Sequence, residues 1–442
     1  MQEKYLITGG TANEIAAAVE AAVSGGRLAP GTTLPPVREV AITAGVSPNT
    51  AAAAYRLLRE RGVVETAGRR GTRIRPRPAS TFREDISIEA PPGARDLSTG
   101  NPDPALLPPL HAALAAAARA HAERPAMYGT GDDEEFLALA AEALRADGVP
   151  PGPLAVTSGT LDAVERVLTA HLRPGDPIAV EDPGYTALLD LVGVLGLRAV
   201  PMRVDDDGPL PDDLARALRA GARAVVITPR AQNPTGASVP AARAGALRDV
   251  LTAYPGVLLI EDDHGSGMVD TPLHALAGVT DRWILTRSTA KAFGPDLRLA
   301  LVTGDAATLD RLRGRQRLAA GWVSRLLQRT VAHLWRTGAV DQTAVAAAYA
   351  RRRNGLVTAL AERGIQAHGR TGLNVWIPVP DETVAITRLL SRGWVPAPGA
   401  RNRLTAPPAL RLTISSLPPA AIPSLATDIA TSLHPPTPAH WG

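Results

Sequence analysis

The spacing of apolar and polar residues near the start of the chain predicts three helices in close succession. Apolar side chains recur at helical intervals over residues 13–24, and the glycine pair at 25–26 ends this first helix. A second, short helix is predicted over residues 36–44 and a third over residues 48–61. Three short helices of this kind can pack around one small core.

A hairpin is predicted directly after the third helix. Two strand-like runs, residues 63–66 and 72–75, flank a turn bounded by glycine. The third helix itself has a defined start, because Ser47 can cap it and Pro48 suits its first turn. Helices followed by a hairpin in this order are typical of a winged helix-turn-helix.

Beyond residue 150 the pattern changes to short apolar runs that alternate with helical runs. In chain order, strands are predicted at 154–157, 178–180, 224–227, 257–260 and 283–286, with helices at 160–172, 188–195 and 241–251. This alternation predicts an α/β fold with a mostly parallel sheet covered by helices on both faces. Ligands bind such sheets beyond the carboxyl ends of the strands.

Residues 76–95 separate the two patterns. They are rich in proline and polar residues and show no periodicity, as expected of a linker. We therefore expect a winged helix-turn-helix domain in residues 1–75, a linker in residues 76–95 and a larger domain in residues 96–442.

Composition excludes several classes of protein. The 442 residues include no cysteine, which excludes disulfides, thiolate zinc sites and cysteine nucleophiles, and no metal site is expected. Hydrophobic residues make up 45% of the chain and charged residues 20%, as in ordinary globular proteins. Neither a signal peptide nor an uninterrupted apolar run of about 18 residues is present, so the cytoplasm is the expected location.

The positive charge is concentrated at the N-terminus. Residues 1–78 carry one lysine and ten arginines against six glutamates, a balance of +5, whereas the whole chain carries +4. A basic first domain on a nearly neutral body favours contact with a polyanion, although a solvated arginine-rich surface would have the same composition.

The distribution of lysine singles out one residue. Of 47 basic side chains only Lys4 and Lys291 are lysines. A guanidinium stays protonated and cannot form an imine, so an internal lysine retained in such a chain indicates a primary amine that forms a Schiff base.

Four polar clusters accompany the predicted strands of the larger domain. They are residues 157–160 (Thr-Ser-Gly-Thr), 233–236 (Asn-Pro-Thr-Gly), 261–264 (Glu-Asp-Asp-His) and 288–291 (Ser-Thr-Ala-Lys), the last followed by Arg298. The first opens a helix, whose N-terminal N–H groups favour an anion such as phosphate. The others offer a carboxamide, carboxylates, an amine and a guanidinium at one edge of the sheet.

The first domain resembles the GntR-type DNA-binding domain over nearly all of residues 11–75. The matching blocks are residues 30–35 (Pro-Gly-Thr-Thr-Leu-Pro), 38–41 (Arg-Glu-Val-Ala), 45–50 (Gly-Val-Ser-Pro-Asn-Thr), 55–58 (Tyr-Arg-Leu-Leu) and 71–72 (Gly-Thr). The chain departs from many relatives at Pro48 and at the alanines of residues 51–54, where larger residues are common.

This resemblance implies double-stranded operator DNA as a partner. Arg38 would meet a phosphate, while Ser47, Asn49 and Thr50 would reach phosphates or base edges in the major groove. The DNA-binding residues implied in the wing are Arg69, Arg70 and Arg73.

The four clusters together resemble a fold type I, class I/II aminotransferase over about residues 96–432. The resemblance implies a mostly parallel sheet, a smaller C-terminal α+β subdomain, and pyridoxal 5′-phosphate as cofactor. Lys291 matches the lysine that forms the imine, and Asp262 matches the aspartate that keeps the pyridinium nitrogen protonated.

Other positions match further site residues of that family. Asn233 matches the residue that hydrogen-bonds the ring oxygen, Tyr185 the aromatic residue that stacks on the ring, and Arg411 the arginine that grips a substrate carboxylate. The phosphate cup implied by the resemblance consists of Ser158, Gly159, Thr160, Ser288 and Arg298, with Tyr128 reaching it from a partner subunit.

Two of these assignments have competing interpretations. His264 stands where many relatives have a tyrosine that hydrogen-bonds the ring oxygen; an imidazole can make that contact or merely pack. Arg411 can equally form a structural ion pair. The acidic residues Glu181, Asp182, Glu261 and Asp263 are interpreted as strand-end caps.

A GntR-type domain joined to an aminotransferase-like domain resembles the MocR family of bacterial transcriptional regulators. The resemblance implies that the cofactor, or its adduct with a small amino compound, is the sensed effector, and that the protein is a homodimer reading two half-sites. Two alternatives stay open: a working aminotransferase acting on a small amino acid, and a DNA-binding protein whose body only dimerises.

Overall fold

A computed structural model describes residues 7–24, 27–29, 31–60, 63–66, 71–74, 88 and 90–433. The chain divides into two compact units, of which the first is built mainly from residues 1–85 and the second from most of the remainder. Most of the predicted linker lies outside the described residues.

The first unit contains the three predicted helices and the predicted hairpin. Its elements are α1 (Ala12–Ser24), α2 (Val37–Thr43), α3 (Pro48–Glu60), β1 (Val64–Thr66) and β2 (Thr72–Ile74). The two strands pair antiparallel. Ile15, Val19, Leu58 and Ile74 are almost fully buried in a shared core, which the helical spacing of apolar residues produces. The winged helix-turn-helix prediction is confirmed.

Local hydrogen bonds fix the turn between α2 and α3. Ser47 Oγ accepts from the backbone N–H of Thr50 at 3.1 Å, which satisfies one of the free donors at the start of α3. Gly45 has a φ of +64°, a conformation that side chains with a Cβ rarely adopt. The hydroxyl of Tyr55 on α3 donates to the carbonyl of Pro35 at 2.5 Å. The start of α3 is therefore rigidly placed.

The second unit is built from a large sheet, a small sheet and covering helices. Its strands are β3 (Arg95–Asp96), β4 (Leu154–Thr157), β5 (Pro177–Asp182), β6 (Arg198–Asp205), β7 (Gly208–Pro209), β8 (Ala224–Ile227), β9 (Leu258–Asp263), β10 (Arg282–Ser288), β11 (Ala300–Gly304), β12 (Asn374–Pro378), β13 (Trp394–Val395), β14 (Ala397–Pro398) and β15 (Ala409–Thr413).

The helices of this unit follow the strands along the chain. They are α4 (His111–Glu123), α5 (Glu134–Ala146), α6 (Thr160–His171), α7 (Thr186–Val194), α8 (Pro211–Arg219), α9 (Ala241–Thr252), α10 (Ala290–Phe293), α11 (Ala306–Arg317), α12 (Arg325–Arg336), α13 (Gln342–Ala361), α14 (Glu382–Leu390) and α15 (Ile422–Leu433). None of these described helices, nor those of the first unit, combines the length and apolarity needed to cross a bilayer.

The large sheet has the order β4-β11-β10-β9-β8-β5-β6-β7. Strands β10, β9, β8 and β5 run parallel to one another, while β11 is antiparallel to both β10 and β4. The predicted mostly parallel sheet is confirmed. Helices α8 and α9 share a core with Val225, Ile227 and Leu259, and α6 contacts β4, β9, β10 and β11.

The small sheet has the order β12-β15-β14, and β13 pairs in parallel with β3. Its core contains Val375, Ile377, Leu410 and Leu412 together with apolar residues of α13, α14 and α15, among them Leu425. This is the C-terminal α+β subdomain that the resemblance implies.

Strand β9 is longer than predicted and carries three carboxylates within it. Glu261, Asp262 and Asp263 belong to the strand and are buried, with exposures of 0%, 9% and 0%. The interpretation of Glu261 and Asp263 as strand-end caps is wrong, because Glu261 lies inside the strand and Asp263, its last residue, is fully buried and accepts from two arginine side chains. Since side chains alternate along a strand, Asp262 lies on the opposite face from the other two.

Burial of Glu261 makes stability depend on pH. Burial raises the pKa of Glu261 to about 7, and one of its oxygens accepts from the Leu276 N–H at 2.8 Å. The folded chain therefore keeps a proton that an unfolded glutamate, with a pKa of about 4.3, has lost. The free energy of unfolding should fall as pH rises from about 4.5 to about 7, by up to about 1.4 kcal/mol per pH unit for this group.

The variant Glu261→Gln is expected to remove this contribution. Urea unfolding at pH 5, 6, 7 and 8 should give a smaller decline for the variant than for the wild type. Glu181, whose pKa burial also raises to about 7, keeps a residual slope in the variant. Equal slopes in both proteins would contradict the assignment.

Candidate functional site

Lys291 lies in the short helix α10, directly after β10. Its Nζ donates to the carbonyl oxygen of Gly100 at 2.7 Å and the side chain is half-buried. An amine held by a neutral carbonyl at a sheet edge can be reached by a ligand, and the placement fits the sequence prediction for a Schiff-base lysine.

Arg411 lies on β15 of the small sheet and is 8% exposed. Its Nη1 donates to Asn233 Oδ1 at 3.3 Å and its Nη2 to the Ser98 carbonyl oxygen. Asn374 Nδ2 also approaches Asn233 Oδ1, at 3.5 Å. These acceptors are neutral carbonyl and amide oxygens, which a carboxylate ligand could replace.

Asp262 is a buried carboxylate with an unmet acceptor. Burial raises its pKa to about 6, and the neighbouring Asp263 adds to the effect, whereas His264 and a hydrogen bond from Thr160 oppose it. Its Oδ1 has no hydrogen-bond partner among the described residues. A buried carboxylate oxygen without a donor is costly, so a cationic N–H within hydrogen-bonding distance would stabilise the charged form.

His264 is already engaged on one side. Its Nε2 lies 2.8 Å from the carbonyl oxygen of Ala231, and because a carbonyl can only accept, this nitrogen carries a proton. Its Nδ1 lies 4.0 Å from Asp262 Oδ2. The ring is therefore anchored beside Asp262, and Nδ1 is the atom left to face a ligand.

A guanidinium and a helix N-terminus form a cradle for an anion. Gly159 precedes α6 with a φ of +100°, and a Cβ placed there would lie 3.0 Å from Nη2 of Arg298. Glycine at this position thus allows the close approach of Arg298 to the start of the helix. Thr160 begins α6, and the exposed Ser158 donates its N–H to Asp162 at 2.9 Å. Ser288 ends β10, where its hydroxyl accepts from the Ala290 N–H at 3.2 Å.

The turn that carries Tyr185 is fixed by a remote loop. Asp182 accepts from the backbone N–H groups of Leu404 at 2.8 Å and of Thr405 at 2.7 Å, and is 2% exposed. Gly184 exchanges two hydrogen bonds with Asn402. The interpretation of Asp182 as a strand-end cap is wrong, because its partners lie more than 200 residues away in sequence.

Gln232 was not found by sequence reasoning, although it connects two parts of the site. Its Nε2 donates to Glu181 Oε2 at 3.1 Å and to the Pro183 carbonyl at 2.9 Å, while its Oε1 accepts from Thr235. Glu181 is thereby a buried link rather than a strand-end cap. The side chain joins the turn of Tyr185 to the turn of Asn233, and only the adjacent Asn-Pro-Thr-Gly motif could have pointed to it.

On the face of β9 opposite Asp262, a network of buried ion pairs is centred on Asp263. Arg230 donates to both oxygens of Asp263 at 3.0 and 2.7 Å, and Arg287 donates to Asp263 at 2.9 Å and to Asp147 at 2.6 Å. Although burial acts to raise it, the two guanidinium groups hold the pKa of Asp263 below its usual value. An arginine inside the apolar run of β10 is the sequence signal that could have indicated this network.

Tyr128 lies at the surface of its own chain. It is 92% exposed and packs edge-on against Trp322, with ring centroids 5.6 Å apart. Trp322 is itself 41% exposed, and Met127 beside it is 68% exposed. An exposed aromatic pair of this kind is available to a second molecule.

In the first unit, the predicted DNA-contacting residues of the helices lie at the surface. Arg38 on α2 and Asn49 on α3 are exposed, Ser47 caps α3 through Thr50, and Arg73 is half-buried on β2. Arg69 and Arg70 lie outside the described residues.

The residues present fit pyridoxal 5′-phosphate. Asp262 has the unmet acceptor that a protonated ring nitrogen would satisfy, and Gly159 leaves room for Arg298 at a helix N-terminus that favours a phosphate. Lys291 supplies a primary amine within the same sheet edge.

Comparisons with known proteins agree with this geometry. Residues 94–429 match the aminotransferase class I and II family and residues 11–74 match the bacterial regulatory proteins of the gntR family. The chain belongs to the aminotransferase class I and II family and, with its gntR-family domain, to the MocR-type transcriptional regulators. GntR-family regulators bind DNA.

Two relatives and one solved structure show what the chain is similar to. The vitamin B6 salvage pathway transcriptional repressor PtsJ of Salmonella typhimurium is 40% identical over 437 residues, covering 97% of this chain and 100% of the relative. The pyridoxine biosynthesis transcriptional regulator PdxR of Corynebacterium glutamicum is 33% identical, covering 66% of each chain. The structure of LysN, an α-aminoadipate aminotransferase from Thermus thermophilus, has a TM-score of 0.69 at 23% identity, covering 80% of this chain and 94% of LysN, which shows the shared fold.

Proposed function

We propose that this transcriptional regulator binds operator DNA through its first domain and senses pyridoxal 5′-phosphate, or its adduct with a small amino compound, in its second. The observation that carries the proposal is that Oδ1 of the buried Asp262 has no hydrogen-bond partner among the described residues. The same chain has an accessible Lys291 and a gntR-family domain. Because operator DNA is the partner, we place the protein in the cytoplasm.

We assign the cofactor-holding roles from the family resemblance, and the positions described support them. Lys291 would hold the aldehyde carbon covalently, Asp262 would face the ring nitrogen, Asn233 and His264 would face the ring oxygen, and Tyr185 would lie against the ring. Ser158, Gly159, Thr160, Ser288 and Arg298 would bind the phosphate. When bound, the group supplies a carbonyl that reacts reversibly with amines and an electron-withdrawing ring.

Arg411 would bind the carboxylate of an amino-compound effector. Its guanidinium presents two parallel donors, the geometry that a carboxylate accepts bidentately. An effector alters DNA binding only if it favours one arrangement of the protein over another, so the adduct must bind the two arrangements unequally.

Vitamin B6 metabolism is the process that we propose is regulated. PtsJ and PdxR are named for salvage and synthesis of vitamin B6, and PtsJ aligns with nearly the whole of this chain. A regulator that binds the active form of the vitamin can report its supply to the genes that provide it.

A homodimer is the proposed assembly. The exposed aromatic pair of Tyr128 and Trp322, with Leu318 at 90% exposure nearby in sequence, offers apolar surface to a second copy. Tyr128 would then reach the phosphate of the partner's site. Two first domains in one dimer would read two half-sites.

Replacing Arg38 by alanine should weaken binding to all DNA sequences about equally. Arg38 is exposed on α2, where it can neutralise a phosphate, so its loss should reduce the slope of log affinity against log salt by about 1. Fluorescence anisotropy on a labelled duplex at several salt concentrations measures this slope. Arg315→Ala, an exposed arginine on α11, is the control and should leave the slope unchanged.

The sensing proposal is tested by operator binding with and without pyridoxal 5′-phosphate. The DNA upstream of the protein's own gene serves as the probe, and the cofactor is expected to change the dissociation constant about fivefold or more. An unchanged dissociation constant would overturn the sensor. Sustained conversion of an amino acid and a keto acid over many turnovers would instead favour the aminotransferase alternative.

A further inference from the structure

Both cations of the site are held by one three-residue segment. Lys291 Nζ donates to the carbonyl of Gly100 at 2.7 Å, and Arg411 Nη2 donates to the carbonyl of Ser98. We name residues 98–100 the latch. The amine that would capture an aldehyde and the guanidinium that would bind a carboxylate are thus both engaged by backbone oxygens of the same segment.

The latch is held at both ends, and within it Ser98 donates to Asp96 Oδ1 through its N–H at 2.8 Å and its hydroxyl at 2.7 Å, both at the exposed surface. Leu97 pairs with Val395 on β13 and with Thr413 on β15, and the Gly100 N–H donates to the Thr413 hydroxyl at 3.0 Å. Thr99 at its centre is exposed. Segments with few buried contacts open at low free energy, so the two cation–carbonyl bonds make a large contribution to holding the latch in place.

We propose that the latch is a built-in competitor for the site, which a ligand displaces from Lys291 and Arg411 in two chemically distinct steps. This inference rests on the proposed function. A carboxylate on the ligand takes the guanidinium from the Ser98 oxygen, because a charged acceptor binds guanidinium more strongly than a neutral carbonyl does.

The second step is covalent. When the Lys291 ammonium condenses with an aldehyde, one C=N double bond replaces the aldehyde C=O, one water leaves with the aldehyde oxygen and two of the three ammonium hydrogens, and a protonated nitrogen retains one N–H. An ammonium can turn any of three N–H donors toward the Gly100 carbonyl, whereas the imine nitrogen has one N–H in a fixed direction. The step frees the second carbonyl of the latch.

The two steps define the class of ligand that opens the latch fully. An aldehyde alone frees Gly100 and leaves Ser98 on Arg411. An amino acid supplies a carboxylate, but its amine exchanges with Lys291 on the aldehyde carbon and releases the lysine amine. A carboxylate without an amine, bound beside the Lys291 imine, leaves both carbonyls free. The latch follows β3 in sequence, and β3 begins where the predicted linker ends. Opening of the latch therefore changes the segment of this unit that adjoins the linker in sequence.

Hydrogen–deuterium exchange of the full-length protein tests the proposal, with the peptide that covers residues 97–101 as the readout. Without ligand, Lys291→Ala and Arg411→Gln should each raise the exchange rate about tenfold, because each removes one charge-assisted bond. Arg403→Gln is the matched control, since Arg403 donates to Glu382 at 2.9 Å, and it should leave this peptide unchanged.

Ligand additions to the wild type test the two steps separately. Pyridoxal 5′-phosphate should raise the exchange rate, a further addition of propanoate, a carboxylate with no amine to displace Lys291, should raise it more, and propanol in place of propanoate should add nothing. Wild-type exchange rates in both unliganded variants would overturn the latch. Raised rates in the variants with no response to pyridoxal 5′-phosphate would support the latch as a holding element and count against the proposed sensing function.

Discussion

Replacing Lys291 by alanine is expected to abolish covalent capture of pyridoxal 5′-phosphate by this protein. Lys291 lies in α10, just beyond the end of β10, and Asp262 lies near the end of the neighbouring strand β9, so an aldehyde bound at this edge of the sheet would meet the amine. No guanidinium in the chain can substitute, because arginine stays protonated and is not nucleophilic. Borohydride reduction followed by mass spectrometry measures the covalent adduct directly.

The chain provides its own control for that experiment. Lys4 is the other of its two lysines and has no predicted role in the site, so Lys4→Ala should capture the cofactor like the wild type. An adduct of undiminished yield in Lys291→Ala, or its loss in Lys4→Ala alone, would show that the reacting amine lies elsewhere.

Replacing Asp263 by alanine should lower the free energy of unfolding by about 3–5 kcal/mol, because it leaves two buried guanidinium groups without their shared carboxylate. The side chains of Arg230 and Arg287 are 7% and 5% exposed, and Asp263 itself is fully buried. Urea unfolding followed by tryptophan fluorescence reports on the second unit, since all six tryptophans lie beyond residue 280.

A more exposed ion pair of the same unit serves as the comparison. Arg243 donates to Asp205 at 2.8 Å, but Asp205 is 47% exposed, so Asp205→Ala should lower the free energy of unfolding by less than about 1 kcal/mol. Similar losses in the two variants would mean that burial is not what makes the Asp263 network important.

The sequence predicted those helices and strands whose apolar residues recur at regular spacing and so form one buried face. The three helices of the first unit appear within one or two residues of their predicted bounds, because apolar residues recur at helical spacing and Ser47 marks the start of α3. Five strands of the large sheet (β4, β5, β8, β9 and β10) were predicted from apolar runs such as that of β8, whereas β6, β7 and β11 were not predicted. Lys291 stood out through composition alone.

Features that depend on distant residues were not predictable in this way. Strands β13 and β14 have two residues each, too few to show a period. The contacts of Asp182 with residues 404–406 and of Arg411 with Ser98 join positions hundreds of residues apart, and only the folded chain brings them together. Carboxylates inside β9 looked like residues beyond its end, because an apolar run normally stops where charge begins.

The most direct measurement of the central claim compares the cofactor's effect on operator affinity in wild-type protein and in Lys291→Ala. Pyridoxal 5′-phosphate should shift the dissociation constant of the wild type about fivefold or more and leave that of the variant unchanged. An equal shift in both proteins, or none in either, would contradict a regulator that senses the cofactor through Lys291.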